Sequence, residues 1–364
     1  MSSTSCAAPG ARSGLKLPEM LTVYSEDHRL HSPSYELFNG EFIPPAEVAA
    51  RMDSVLYRLQ ATSFGEVRAP SEFGTKPLLR VHAPNFIHYL QTAWSQWTAL
   101  GRTQDVLPFV FAPPQARRRE PQQIDGKAGF FSFDTGAPIM AHTWQAVQSA
   151  ANCALTAQQH ITAGARAAFA LCRPPGHHAG ADFCGGYCYV NNAAVAAHGF
   201  LDAGARRVAI LDVDYHHGNG TQDIFYRRAD VLFVSIHADP RQEYPYFSGY
   251  ADERGEAAGL GYNHNFPLPH GTRYAGHWEP VFAEACGVVT SYEPDALIVS
   301  LGLDTFEADP ISRFKLQSED YLQIGAAIKA LGLPTLFVME GGYAVEQLGV
   351  NAVNVLQAFE HSAS

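Results

Sequence analysis

Asp214, His216 and Asp304 are the residues whose types and spacing could do chemistry. The first two stand in Leu211-Asp-Val-Asp-Tyr-His-His-Gly-Asn-Gly220, after an apolar run (208–211) that reads as a buried strand of a parallel sheet. Alternate side chains of a strand share one face, so Asp212, Asp214 and His216 are predicted to point the same way. Two carboxylates and an imidazole converging at the carboxyl end of a strand suit a divalent cation, zinc first, at Asp214 and His216. A second apolar run, 296–301, leads into Gly302-Leu-Asp304, and Asp304 would complete an Asp-His-Asp ligand set. Two carboxylates neutralise the cation, and an open position admits water, whose pKa then approaches about 7.

Other strand ends add groups that such a centre could use. The run 167–171 leads into Cys172-Arg-Pro-Pro-Gly-His177-His178-Ala-Gly180, a turn poorly suited to ordinary core histidines. One imidazole reads as a general base and the other as an electrostatic partner. Each needs an acceptor for its second ring nitrogen, and Asp212 and Asn219 flank the ligands. The run 335–339 leads into Glu340-Gly-Gly-Tyr343, whose phenol could polarise a carbonyl and stabilise an oxyanion. Taken singly, these are a loop carboxylate, a surface histidine pair and a tyrosine packed beside a glycine turn. Together they describe a site assembled at one edge of a sheet.

The elements that must position them alternate regularly in the second half. Helices are predicted at 143–163, 191–203, 277–290, 318–330 (Ser318 as N-cap) and 345–359. Strands are predicted at 167–171, 208–213, 231–237, 296–301 and 335–339, with a long loop through 239–273. Earlier come a short β-type run at 21–24 and helices at 44–60 and 82–100. Strands alternating with helices imply a parallel sheet covered on both faces, with ligands at its carboxyl edge. Residues 103–142 depart from this rhythm, with five prolines, Arg117-Arg118-Arg119 and Phe130-Phe131-Ser132-Phe133-Asp134. A loop of this length in a compact domain serves function or an interface.

The chain has 364 residues, 46% hydrophobic and 17% charged, which fits one large α/β domain. Its net charge of -11 argues against a nucleic-acid partner and suits a cationic ligand. No apolar run reaches the roughly 18 residues of a membrane helix. The cysteines (Cys6, Cys153, Cys172, Cys184, Cys188, Cys286) include no C-x-x-C pair and read as reduced thiols of a cytoplasmic protein. Residues 1–19 read as a disordered leader and 20–364 as one catalytic domain.

The motifs Arg173-Pro-Pro-Gly-His-His-Ala-Gly180, Gly185-Gly-Tyr-Cys188, Asn191-Asn192, Asp212-Val-Asp-Tyr-His-His-Gly-Asn-Gly-Thr-Gln222 and Glu340-Gly-Gly-Tyr343 resemble the arginase-deacetylase superfamily. Within it the chain resembles histone deacetylases and, more closely, bacterial acetylpolyamine amidohydrolases. Ser25-Glu-Asp-His28, Glu243-Tyr-Pro-Tyr246 and Leu301-Gly-Leu-Asp-Thr-Phe-Glu-Ala-Asp-Pro-Ile-Ser-Arg-Phe-Lys-Leu316 are similar to that branch. The resemblance implies a single-domain arginase-deacetylase fold, α/β, with a central, mostly parallel sheet and helices on both faces. It implies zinc at Asp214, His216 and Asp304, His178 as base and then acid, His177 paired with Asp212, and Tyr343 on the acetyl carbonyl. Tyr187 and Tyr244 match the aromatic walls of the acyl-lysine tunnel, and the Gly186 carbonyl meets the scissile N–H. A structural potassium ion is implied near Asp212, Asp214, His216, Ser235 and Ile236.

Asn219 stands where several eukaryotic deacetylases carry Asp, so His178 is expected to be neutral near pH 7. The loop 103–142 is longer than in typical histone deacetylases; in the polyamine branch it packs on a second subunit and narrows the mouth. This implies a homodimer, and Asp125 and Asp134 are candidates to read distant ammonium groups. The implied activity is zinc-dependent hydrolysis of N-acetylated polyamines or diamines (acetylputrescine, acetylcadaverine or acetylspermidine type) to acetate and free amine. A protein lysine deacetylase is the alternative. Ureohydrolysis at two manganese ions is disfavoured, because that site needs D-x-H-x-D and this chain has D-x-D-x-H. A binding module that only reads acetylated ligands would not need His177, His178 and Tyr343 together.

Overall fold

The computed structural model describes residues 20–113 and 119–361. The leader expected at 1–19, Cys6, and Arg117 and Arg118 of the basic cluster lie outside the described residues. Strand β1 (Leu21–Val23) precedes an antiparallel hairpin, β2 (Glu36–Phe38) and β3 (Glu41–Ile43). Asn39 and Gly40 turn that hairpin at φ 49° and 84°, the left-handed pair that matches strand twist. Then follow α1 (Ala50–Ala61), β4 (Val67–Arg68), α2 (Pro84–Thr98), α3 (Ile124–Phe130) and α4 (Thr143–Thr162). The regular alternation continues through β5 (Ala167–Ala170), α5 (Asn192–Asp202), β6 (Val208–Asp212), α6 (Asn219–Phe225), β7 (Val231–Ala238) and β8 (Asn263–Leu268). It closes with α7 (Glu279–Tyr292), β9 (Ala296–Leu301), α8 (Asp320–Ala330), β10 (Thr335–Met339) and α9 (Val345–His361).

Among the described residues, eight strands form one parallel sheet in the order β4-β1-β5-β10-β9-β6-β7-β8. The period of two divides each central strand between two cores. Ala168, Ile210, Phe233, Ile298 and Val338 face α2, α4 and α5, whereas Phe169, Leu211, Val234, Val299 and Phe337 face α1, α7, α8 and α9. Burial on both faces explains why these strands read as unbroken apolar runs. Their order matters more for function. β5, β10, β9 and β6 are consecutive in the sheet, so the loops after Ala170, Met339, Leu301 and Asp212 leave one edge side by side.

Several predicted boundaries shift. The helix expected over 44–60 starts at Ala50, because the preceding residues deliver Glu47 to a buried pairing with Arg51 (2.7 Å) and Arg173 (2.8 Å). Ser318 is not the N-cap of α8: its hydroxyl bonds Asn351 Oδ1 at 2.7 Å, and the helix begins at Asp320. The 239–273 loop contains β8, parallel to β7, and the 103–142 excursion contains α3. Both were hidden by polar or glycine-rich composition, and tertiary pairing supplied what local preference lacked.

Candidate active site

β6 ends at Asp212, so Asp214 and His216 lie beyond the strand and its alternation does not orient them, contrary to the expectation from sequence. Two side-chain-capped turns place these two residues instead. Asp212 Oδ1 accepts the N–H of Asp214 at 3.2 Å, and Asp214 Oδ1 accepts the N–H of His216 at 2.9 Å. Asp304, arriving from β9, accepts the N–H of Tyr215 at 2.8 Å. His216 Nδ1 then lies 3.0 Å from Asp304 Oδ2 and 3.5 Å from Asp214 Oδ1. One donor atom from each of the three residues falls within 4.8 Å of the others, and all three are buried.

This donor set fits a divalent cation. A Cβ on Gly302 would sit 2.0 Å from Asp214 Oδ2, and one on Gly341 would sit 2.7 Å from Asp304 Oδ2. Backbone thus closes on the carboxylates with no room for a side chain, and Gly341 N–H donates to Asp214 Oδ2 at 2.9 Å. Without a cation the pair of acids is electrostatically frustrated. Burial and the neighbouring Asp214 push Asp304 up to about 7, while the charges of His177 and His216 outweigh burial and hold Asp214 well below the usual carboxylate range. A cation relieves that conflict.

The tandem histidines divide their partners. His177 Nδ1–H donates to Asp212 Oδ2 at 3.1 Å, and His178 Nδ1–H donates to Asn219 Oδ1 at 2.7 Å. Their rings lie 4.0 Å apart, between centroids. Burial opposes a charge on His177, but Asp214 and Asp212 outweigh it and raise its pKa to about 10. His178 moves the other way, well below its ordinary value, through burial and then the positive fields of His177 and His216. With Nδ1–H spent on Asn219, its Nε2 carries a lone pair.

Tyr343 is held by residues that sequence reasoning gave no role. Its N–H donates to buried Asp309 Oδ2 at 2.7 Å, and the Arg51 guanidinium lies 4.8 Å from its ring centroid. Arg51 also donates to the carbonyls of Gly342 (2.6 Å) and Glu340. Burial raises the Tyr343 phenol well above 10, so it stays a proton donor. Arg51 had one signal available, a charge on the same helical stripe as Met52, Val55 and Leu59.

Aromatic rings surround the approach. Tyr244 lies 5.1 Å from His178 and 5.8 Å from His216, and Tyr187 lies 5.7 Å from Tyr343, between ring centroids. Tyr187 adopts left-handed backbone (φ 66°), rare for a non-glycine residue, and donates its phenol proton to Glu36 Oε1 at 2.6 Å. Gly186 meets both groups: a Cβ there would sit 2.5 Å from His178 Cδ2 and 2.6 Å from the Tyr244 hydroxyl. Asp134 and Asp125 are not free acids. Asp134 accepts Tyr244 O–H at 2.7 Å, Gly136 N–H at 2.8 Å and Gly186 N–H at 3.0 Å, so it braces the wall and the glycine. Asp125 is held by Arg102 in a bidentate pair, at 2.6 and 3.1 Å, which already matches its charge. At the far side, Asp212 and Ser235 are register neighbours on β6 and β7, and Ser235 Oγ lies 2.8 Å from His237 Nδ1.

Comparison with known proteins follows the same lines. An acetylpolyamine amidohydrolase (number 2) of Pseudomonas aeruginosa is 60% identical over 341 residues, 94% of this chain and 99% of that protein. An acetylpolyamine amidohydrolase of Mycoplana ramosa is 45% identical, over 93% of this chain and 99% of that protein. The crystal structure of an acetylpolyamine aminohydrolase from Burkholderia pseudomallei has a TM-score of 0.89 at 40% identity, covering 93% of this chain and 98% of that one. Residues 45–359 match the histone deacetylase domain. The chain belongs to the histone deacetylase domain family.

Proposed function

We propose that this protein hydrolyses the acetyl amide of N-acetylated polyamines or diamines, releasing acetate and the free amine. The observation that carries the reading is His178, its Nδ1–H bonded to Asn219 at 2.7 Å, beside a buried Asp-His-Asp donor set. Asp214, His216 and Asp304 would hold one divalent cation, zinc on this reading, which when bound supplies Lewis acidity to the acetyl carbonyl and lowers the pKa of water.

The chain's own groups do the rest. His178 Nε2 takes the proton of the attacking water as the new C–O bond forms. Tyr343 keeps its proton and donates a hydrogen bond to the carbonyl oxygen as that oxygen gains the π electrons, which re-form the carbonyl when the leaving amine departs. His178 then returns the proton to the amide nitrogen while the C–N bond breaks. His177, held by Asp212 with its ring 4.0 Å from that of His178, would contribute its electrostatic field beside the developing anion. Tyr187 and Tyr244 would flank the acyl chain, the Gly186 carbonyl would accept the scissile N–H, and water would be excluded between the rings.

The net charge of -11 and relatives named as acetylpolyamine amidohydrolases support a small cationic substrate over nucleic acid. Among the described residues no helix is long and apolar enough to cross a membrane. A potassium ion near Asp212, Asp214, His216, Ser235 and Ile236 belongs to the same reading, supported by the adjacency of Asp212 and Ser235 as hard oxygen donors. So does a homodimer through the 103–142 excursion, where Phe109, Val110 and Phe111 are exposed. We expect a cytoplasmic location. The test is kcat/KM of metal-defined protein on acetylputrescine against an acetyl-lysine peptide. A polyamine preference is expected, and a clear peptide preference makes the protein a lysine deacetylase instead.

A further inference from the structure

Glu340 directly follows β10 and is wholly buried, yet its carboxylate neither joins the Asp-His-Asp donor set nor pairs with a guanidinium. It reaches across to the loop that follows β5. Oε2 accepts the N–H of Gly176 at 2.6 Å and the N–H of His177 at 3.1 Å. The other oxygen, Oε1, is buried without a hydrogen-bond partner. A buried carboxylate left half-satisfied is costly, and an aliphatic side chain would fill the same volume without that penalty. Two consecutive N–H groups fixed at one point are what this side chain delivers and an aliphatic one could not.

The other bonds of this segment show what is being fixed to what. Arg51 takes the Glu340 carbonyl, Gly341 N–H donates to the ligand Asp214, and Tyr343 N–H donates to Asp309. Residues 340–343 therefore carry the phenol and touch a metal ligand, while the Glu340 side chain grips the turn that carries both histidines. We propose that Glu340 is a positioning residue, which holds the general-base turn in register with Tyr343 and the ligand cradle. This rests on the hydrolytic reading for its consequence in turnover, but the mechanical coupling itself does not.

Reach, not charge, is the property at stake. Gln keeps the acceptor at the same length, whereas Asp withdraws it by about 1.5 Å, one C–C bond. In zinc-loaded protein, Glu340→Asp should lower kcat about 100-fold with KM within about twofold and metal content unchanged, and Glu340→Gln should stay within about fivefold of the parent. Amide hydrogen exchange reads the coupling without substrate: Gly176 and His177 should exchange faster in Glu340→Asp, and at the parent rate in Glu340→Gln. That second readout separates failure of the coupling from failure of the proposed activity, which the parent protein's own turnover reports. Parent-like exchange in Glu340→Asp, equal losses in both variants, or a Glu340→Asp protein that does not fold would each overturn the proposal.

Discussion

At the scale of single residues, two neighbouring imidazoles are made chemically different by one atom in each partner. Asp212 offers His177 a carboxylate, and Asn219 offers His178 an amide carbonyl. Burial opposes a charge on both rings, but Asp214 and Asp212 outweigh it and raise His177 to about 10. At His178 the positive fields of His177 and His216 add to burial, and Asn219 offsets them far less than a carboxylate would. In the proposed mechanism the unprotonated His178 is the active form, so activity should be lost as pH falls through its pKa. Asn219→Asp should raise that pKa and move the acidic limb of the kcat/KM profile to higher pH; an unmoved limb means this bond does not tune the base. Tyr343 gives a cleaner subtraction. Tyr343→Phe keeps the ring under Arg51 and loses the donor, so kcat should fall about 100- to 1,000-fold with little change in KM.

At the scale of elements, the residues after β9 and β10 come so close to the candidate metal ligands Asp214 and Asp304 that only glycine fits. Gly302→Ala would place a methyl 2.0 Å from Asp214 Oδ2, and that carboxylate must move. Metal affinity measured by competition with a chelator should fall about 10- to 100-fold, the scale of lost ligand support, while circular dichroism stays that of the parent. The loops also set the proton cost of binding metal. In the metal-free protein burial disfavours a charged His216, but Asp214 and Asp304 outweigh it and raise its pKa to about 10. Ligation needs the unprotonated ring, so the metal affinity of apoprotein should drop about tenfold for each pH unit below that value, and more steeply below about 7, where Asp304 must also lose a proton. Chelator titrations at three pH values check this, and a flat affinity contradicts it.

At the scale of the whole molecule, the described parts of the 103–142 excursion, 103–113 and 119–142, reach both α2 and the candidate site. α3 packs on α2, and beyond it Asp134 braces Tyr244 and Gly186 at the site. The excursion also exposes Phe109, which is 77% accessible, with Val110 and Phe111 beside it. Exposed aromatic side chains in a row are costly unless covered. Replacing Phe109 and Phe111 by Ser should convert a dimer to a monomer in light scattering coupled to size exclusion. A parent protein that is already monomeric at micromolar concentration removes the dimer from the proposal.

What the sequence determined by itself was the local chemistry: unbroken apolar runs that could only be doubly covered strands, and the polar residues at their carboxyl ends. Asp214, His216, Asp304, His177, His178 and Tyr343 were legible because a strand end is a local property of the chain. Strand alternation does not extend to Asp214 and His216; turn hydrogen bonds place them beside Asp304 instead. Only the tertiary structure decided that β5, β10, β9 and β6 lie side by side, that Arg51 and Asp309 grip the Tyr343 segment, and that Asp125 is spent on Arg102. These are pairings between residues tens to hundreds of positions apart. Periodicity and residue type describe what a segment prefers, but the partner that satisfies a buried charge or N–H is chosen when the layers close around it.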